Sequence, residues 1–421
     1  MAFGWCTGTK SVRTYSTNLN TLPQADELNH PTHQPSTQQS NCFSGPAHAS
    51  FVKLNSSNIG ETSGSQIETT PTSVLQSNNT PDPLQNHPRY TKVAELGLGS
   101  SAFVLLAEDK EKMRDVAIKF INRGSNSIKT AGREILNQRL CCMHPNIIQF
   151  QEVFLTADYL AIVSEYAPGG DLVDFIERHN TAHDRALMES ESRRLFQQLI
   201  VGVDFCHQMG IANRDIKLEN TLLMDLSERP VLKLCDFGYS KDELCASISK
   251  TMCGTPEYVA PEVLLYNKYA GKMADIWSCG ILLYCMLTGC FPFRRKEDEG
   301  LETQAVLQKM LPRILKADFQ KPQGLTPECT DLLTRLLEVD PDKRITVQQI
   351  LKHPWVVQDL PEGMANLNVN LLQVPLSLQS TNCRQSEEEI VELTNKAVAG
   401  AKARQRLSFG NSGLTNSGLG E

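Results

Sequence analysis

The stretch Asn213-Arg-Asp-Ile-Lys-Leu-Glu-Asn220 places a carboxylate, an ammonium group and an amide within one short loop. Asp215 there suits the task of accepting or aligning a hydroxyl proton, and Lys217 suits neutralising charge that develops on a group in transfer. Asn220 suits a metal ion, and no structural role fits the trio so well. Downstream, Asp236-Phe-Gly238 follows the apolar run Val231 to Leu234 and offers Asp236 as the chief Mg²⁺ ligand. Upstream, Val116-Ala-Ile-Lys119 sets a lysine inside an apolar strand, where its charge is costly unless paired. Glu134, in Gly132-Arg-Glu-Ile-Leu, is the carboxylate that would pair it. Earlier still, in Leu96-Gly-Leu-Gly-Ser-Ser-Ala-Phe-Val104, Gly97 and Gly99 would let a turn lie close over phosphates while Val104 caps an adenine. Taken singly, a glycine turn is a weak signal and a strand lysine can simply reach solvent. In this order the motifs spell out phosphoryl transfer from ATP with Mg²⁺: phosphates screened, a hydroxyl aligned, water kept out.

Such residues need two platforms. From Arg89 the chain reads as short β-prone runs, Val116 to Ile121 and Leu160 to Val163 among them. After Gly170 it turns helical, with Ser192 to Phe205 and Asp275 to Leu287 carrying apolar residues at helical spacing. The expected fold is therefore α+β and bilobal, with an antiparallel β-sheet small lobe to about residue 166 and a mainly helical large lobe beyond. Regular folding is expected over 89–355, ending at His353-Pro354-Trp355. Residues 1–88, rich in Ser, Thr, Asn, Gln and Gly, read as a disordered tail. Residues 356–421 read as a C-terminal regulatory region with one amphipathic helix over about 386–402, capped by Ser386 ahead of Glu387, Glu388 and Glu389.

Further motifs fall between the lobes and the C-terminus. Gly254-Thr-Pro-Glu-Tyr and Ala260-Pro-Glu262 bracket a peptide-docking segment, and Glu262 is expected to meet Arg344 in a buried ion pair. Asp275 and Trp277 are expected to anchor the central helix beneath the catalytic loop. From Arg89 to Trp355 the chain resembles the eukaryotic protein kinases, and the pairing of Lys217 with Thr255 resembles the serine/threonine class. That resemblance implies an ATP site formed by Leu96, Gly97, Gly99, Val104, Ala117, Lys119, Glu134, Glu165, Ala167, Asp171 and Leu222, with Asn220 and Asp236 on the metal. It also implies basophilic protein substrates, with Glu219 and Asp171 receiving an arginine upstream of the target residue and Thr255 docking the acceptor. One departure is Ala102, where the glycine loop of the family carries its third Gly. Another is Asn213, where the family carries His. Both leave a pseudokinase scaffold, binding ATP or partners without turnover, as the alternative.

Ala161-Ile-Val-Ser-Glu-Tyr-Ala-Pro-Gly-Gly-Asp, Cys235-Asp-Phe-Gly-Tyr-Ser-Lys and Tyr269-Ala-Gly-Lys-Met-Ala-Asp-Ile-Trp-Ser-Cys-Gly narrow the resemblance to the plant and algal sucrose-non-fermenting-related kinases of subfamily 2. Gln385-Ser-Glu-Glu-Glu-Ile is similar to the helical regulatory box of that subfamily. The resemblance implies stress or nutrient signalling, an upstream activating kinase, control by a protein phosphatase, and a box that packs on the helix carrying Glu134. Arg214, beside Asp215, calls for an anionic partner on the activation segment between Phe237 and Glu262. Thr251 is the best-placed hydroxyl for a phosphate there, with Ser247 and Ser249 beside it.

Composition bounds the remainder. The 421 residues are 40% hydrophobic and 21% charged, with a net charge of -7 that gives no reason to expect nucleic-acid binding. No apolar run approaches the ~20 residues of a membrane span. The 13 cysteines form no C-x-x-C pair, which suits a reducing compartment such as cytoplasm or nucleus. The first 25 residues lack acidic side chains, so an organellar transit peptide stays open.

Overall fold

The computed structural model describes residues 82–98, 102–237, 256–265, 269–374, 383 and 385–411, with side chains as far as 400. Gly99, Ser247, Thr251 and Thr255 lie outside the described residues.

Strands β1 (Tyr90–Leu98), β2 (Ala102–Asp109), β3 (Arg114–Asn122), β4 (Phe150–Leu155) and β5 (Tyr159–Glu165) form an antiparallel sheet in the order β1-β2-β3-β5-β4. Helix α1 (Ile128–Cys141) is inserted between β3 and β4. Alternation along β3 decides what the sheet presents on each face. Val116, Ile118 and Phe120 are buried on one side against Tyr90, Leu105 and Leu84, which leaves Ala117 and Lys119 on the other. Register places Lys119 between Val104 of β2 and Ile162 of β5, and Ala117 beside Ser164.

The large lobe comprises α2 (Leu172–His183), α3 (Glu189–Gln208), a small β6 (Thr221–Leu223) to β7 (Leu232–Leu234) ribbon, α4 (Pro261–Leu265), α5 (Gly271–Thr288), α6 (Thr303–Ile314), α7 (Pro327–Leu336), α8 (Val347–Ile350) and α9 (Pro354–Val357). Helix α5 is apolar nearly all round and buried along most of its length, as the centre of a lobe must be. Its Trp277 stacks on Phe293, and the Arg344 guanidinium lies over the indole at 5.1 Å. Arg344 also grips Glu262 through two bonds of 2.7 and 2.8 Å, both side chains being buried. Among the described residues no helix is long and apolar enough to cross a membrane.

Three boundaries differ from the sequence expectation. Ordered chain begins before Arg89, because Leu84 is buried under the sheet and the His87 ring accepts the Tyr90 amide. A single leucine in a polar tail gives no periodic signal. Folding also runs past Trp355: Asp359 pairs with Arg193, and helix α10 (Leu367–Leu372) docks on α3 through Asn368, which donates to the Val201 carbonyl and Asp204. The final helix, α11, extends beyond 402 and spans Glu387–Asn411. At its start Ser386 and Glu389 cap one another reciprocally. Its Ile390 and Ala397 are fully buried against Ile128, Ala131 and Ile135 of α1, so α11 completes the core beneath the sheet.

Candidate active site

Lys119 reaches from the cleft-facing side of β3 to two carboxylates. Its Nζ lies 2.5 Å from Glu134 Oε1 and 3.2 Å from Asp236 Oδ2. Burial by itself would lower the lysine's pKa, but the charges of Glu134 and Asp236 outweigh it and the net direction is up. For Asp236, burial pushes up while Lys119 pulls further down, and the carboxyl ends below its usual range. Burial pushes Glu134 upward, with the Asp236 charge adding to the push and Lys119 opposing it. An ammonium thus stands shared between a structural carboxylate on α1 and the carboxylate that follows β7.

The catalytic loop supplies the second cluster. Asp215 accepts from Lys217 Nζ at 2.9 and 3.0 Å and from Asn220 Nδ2 at 2.6 Å. Burial raises the Asp215 pKa most, the Lys217 charge opposes it, and the result is about 6. Two residues here hold left-handed backbone without being glycine: Arg214 at φ +64° and Asp236 at φ +60°. Such conformations persist only where the surroundings over-determine them. For Arg214 the surroundings are Asp275, whose carboxylate accepts the backbone N–H of Asn213 at 2.9 Å and of Arg214 at 2.7 Å, with His207 on the same carboxylate at 2.8 Å. Asp275 therefore braces the loop directly as well as anchoring α5.

Asn213 links the two clusters. Its Nδ2 donates to the Asp236 carbonyl at 3.0 Å, and its Oδ1 accepts the Asp215 N–H at 3.0 Å. The amide thus registers the loop against the metal-binding turn.

At the hinge, residues 165–167 where the chain leaves β5, Ala117, Ser164 and Glu165 lie on neighbouring strands, and Ala167 is buried just beyond. The Glu165 carboxylate is held by Lys233 Nζ at 2.5 Å and by the Gln149 N–H at 2.7 Å. Lys233 went unremarked in the sequence, although a lysine in the apolar run Val231 to Leu234 is the same signal that singled out Lys119. Asp171 caps α2 by accepting the Asp174 N–H and bridges to Leu222, so two expected nucleotide contacts sit side by side. Glu219 accepts from the Tyr258 hydroxyl at 3.2 Å. Val104 faces Lys119 across the sheet, whereas Leu96 and Gly97 lie on the exposed rim of β1.

Comparison with known proteins follows the geometry. A protein kinase domain model matches residues 90–356. The chain belongs to the protein kinase family. Among its relatives is serine/threonine-protein kinase SRK2E of Arabidopsis thaliana, 42% identical over 322 residues, covering 76% of this chain and 85% of that one. Serine/threonine-protein kinase SRK2A of Physcomitrium patens is 44% identical over 286 residues, 68% and 78% of the two chains. Serine/threonine-protein kinase SAPK7 of Oryza sativa subsp. japonica is 42% identical over 311 residues, 73% and 83%. The subfamily that the sequence phrases resemble is the one these kinases represent.

Protein kinases of this family use ATP with Mg²⁺, and the donor set here fits both. Lys119 is a half-buried cation on the cleft side of β3, as a phosphate partner should be. Asp236 and Asn220 would hold the metal. Among the described residues no three His, Cys, Asp or Glu side chains gather as a cage. One carboxylate and one amide oxygen suit Mg²⁺, which keeps waters and takes phosphate oxygens as its other ligands.

Proposed function

We propose that this protein kinase phosphorylates serine or threonine in protein substrates that carry a basic residue upstream of the target. The observation that carries the reading is the convergence of Asp215, Lys217 and Asn220 beside the Lys119–Glu134–Asp236 array. When bound, Mg-ATP supplies the phosphoryl group and the cation that screens its charge. Asp215 takes the proton of the substrate hydroxyl, and Lys217, 2.9 Å away, neutralises charge that builds during transfer. Glu219 and Asp171 receive the upstream arginine, while Thr255 seats the acceptor. An upstream kinase places phosphate on Thr251 or Ser247, adding roughly two negative charges for Arg214, and a phosphatase reverses it. Stress or nutrient signalling in cytoplasm or nucleus is the setting that suits this control.

The test is transfer from Mg-ATP to a peptide with Arg three residues before Ser, with wild type compared against Asp236→Ala. Transfer that vanishes in the variant supports the reading. Equal incorporation in both overturns it. In phosphorylated enzyme, full activity of Thr251→Ala would remove that residue from the scheme.

A further inference from the structure

The turn that follows Thr255 in the chain carries an acid that the catalytic scheme does not use. Glu257 sits in a single 3₁₀ turn, Pro256–Tyr258, and is only 4% exposed. Its Oε2 is buried with no hydrogen-bond partner. Among the described residues its one ion-pair contact is Arg294, whose Nη1 stands 3.5 Å from Oε1. That separation is too long for a strong charge-assisted bond, which closes at about 2.7–2.9 Å. A carboxylate out of water is costly unless a cation or a donor meets its oxygens. Burial accordingly pushes the Glu257 carboxyl above its ordinary pKa; a backbone hydrogen bond and Arg294 oppose the push, and the Glu219 charge adds to it.

The turn is held fast beside the catalytic loop. The Tyr258 hydroxyl donates to Glu219 at 3.2 Å and accepts the Leu218 N–H at 3.3 Å. The Tyr258 carbonyl accepts from Ser278 of α5 at 3.2 Å, and its ring meets Phe291 edge-on at 5.3 Å. Glu257 is therefore fixed one residue from the side chain that touches Glu219, the acid that receives the upstream arginine in the reading above. Arg294 is less constrained. Its neighbour Phe293 is stacked on Trp277, and Arg295 is held by Asp318 at 2.6 Å. The Arg294 side chain itself is 31% exposed and has one loose contact, so it can turn to solvent at little cost.

We propose that Glu257 forms a second subsite for a basic side chain of the substrate, next to Glu219, with Arg294 as the resident counter-ion that the substrate's cation displaces. The unmet group is the buried carboxylate, whereas Arg294 is already partly solvated, so the site suits a cation rather than an acidic residue. The inference rests on the reading of basic upstream residues and deepens it.

The experiment measures binding of fluorescent peptides to the full chain by anisotropy, with Ala in place of the target Ser so that no transfer is needed. One peptide has no Arg, one has Arg three residues before the Ala, and a set adds a second Arg at each other position from two to seven residues before it. The readout is the ratio of Kd between one-Arg and two-Arg peptides, in which any loss common to both cancels. At one position the second Arg should tighten binding about tenfold in the wild type. In Glu257→Gln that gain should fall to about twofold or less, and in Arg294→Ala it should grow about threefold further. An undiminished gain in Glu257→Gln would overturn the proposal, as would no gain at any position in both the wild type and Arg294→Ala. A gain from a second Glu instead, lost in Arg294→Ala, would also overturn it and give the site to the arginine. Should Glu257→Gln fail to fold, Arg294→Ala still decides, because an unchanged ratio there denies the counter-ion role. A one-Arg peptide that binds no tighter than the Arg-free one would count against the basic-upstream reading, while the two-Arg ratio still judges Glu257.

Discussion

The catalytic loop and the junction of α11 with the small lobe position charge in different ways. In the loop, Asp215 meets Lys217 two residues on and Asn220 five residues on, so its contacts are nearly local. At the junction, Gln385 bonds both the N–H and the carbonyl of Val153 across 232 positions, and Arg123 reaches Lys396 across 273. A local cluster is specified by the identity of a few neighbouring residues. A distant one also depends on every element that brings its halves together. Catalytic chemistry should accordingly fail at single atoms in the first region, while in the second it should weaken by degrees as a helix loosens.

The sharpest contrast is expected from Asp215→Asn, which keeps the loop's shape but removes the proton acceptor. A loss of ~10²–10⁴ in kcat is expected with little change in melting temperature, measured by steady-state transfer and thermal unfolding. Unfolding of the large lobe along with the loss would show that the loop is not the local unit described. Glu262→Gln tests a distant pair that is more deeply buried. It leaves the buried Arg344 charge uncompensated and should cost about 3–5 kcal/mol in denaturant unfolding. A cost under ~1 kcal/mol would mean that other partners of Arg344, such as the Met273 carbonyl, suffice.

The pH dependence sharpens the local side. Asp215 must be deprotonated to accept a proton, and burial holds its pKa at about 6. Peptide kcat/KM should therefore be flat above that value and fall about tenfold per unit below it. A limb displaced to the range of an ordinary aspartate would contradict the burial argument. Lys233→Met probes a contact of intermediate range, since it releases the Glu165 carboxylate 68 positions away. KM for ATP should rise about tenfold, in line with a lost hydrogen bond between charged groups, while kcat changes little. An unchanged KM would mean that the Gln149 N–H holds the hinge unaided. The smallest effect is expected from Ser386→Ala, which removes one half of the α11 cap. About 1 kcal/mol of helix stability should go, read as faster amide exchange over the first turn of α11.

Legibility followed the same division. Lys119, Glu134, Asp215, Asn220 and Asp236 were all found from short motifs, and the structure gathers them in one cleft. Asn213 is the departure the sequence showed, and what its amide does was not legible, because its two bonds to Asp215 and Asp236 exist only once the loop and the turn are adjacent. Lys233 was overlooked because its partner lies on another strand. The burial of Leu84, ahead of Arg89, was missed because one buried leucine has no period.

By itself the sequence determined the chemistry and the two-lobed architecture. Reactive groups in short loops, and hydrophobic alternation that switches from strand to helix spacing, are properties of neighbouring residues. The tertiary structure alone decided how those groups are held: the two backbone N–H groups that Asp275 accepts from the strained catalytic loop, Lys233 behind the hinge, and Arg123 against α11. Each depends on distances between segments far apart in the chain, and such distances are set only when the cores on both faces of the sheet have closed.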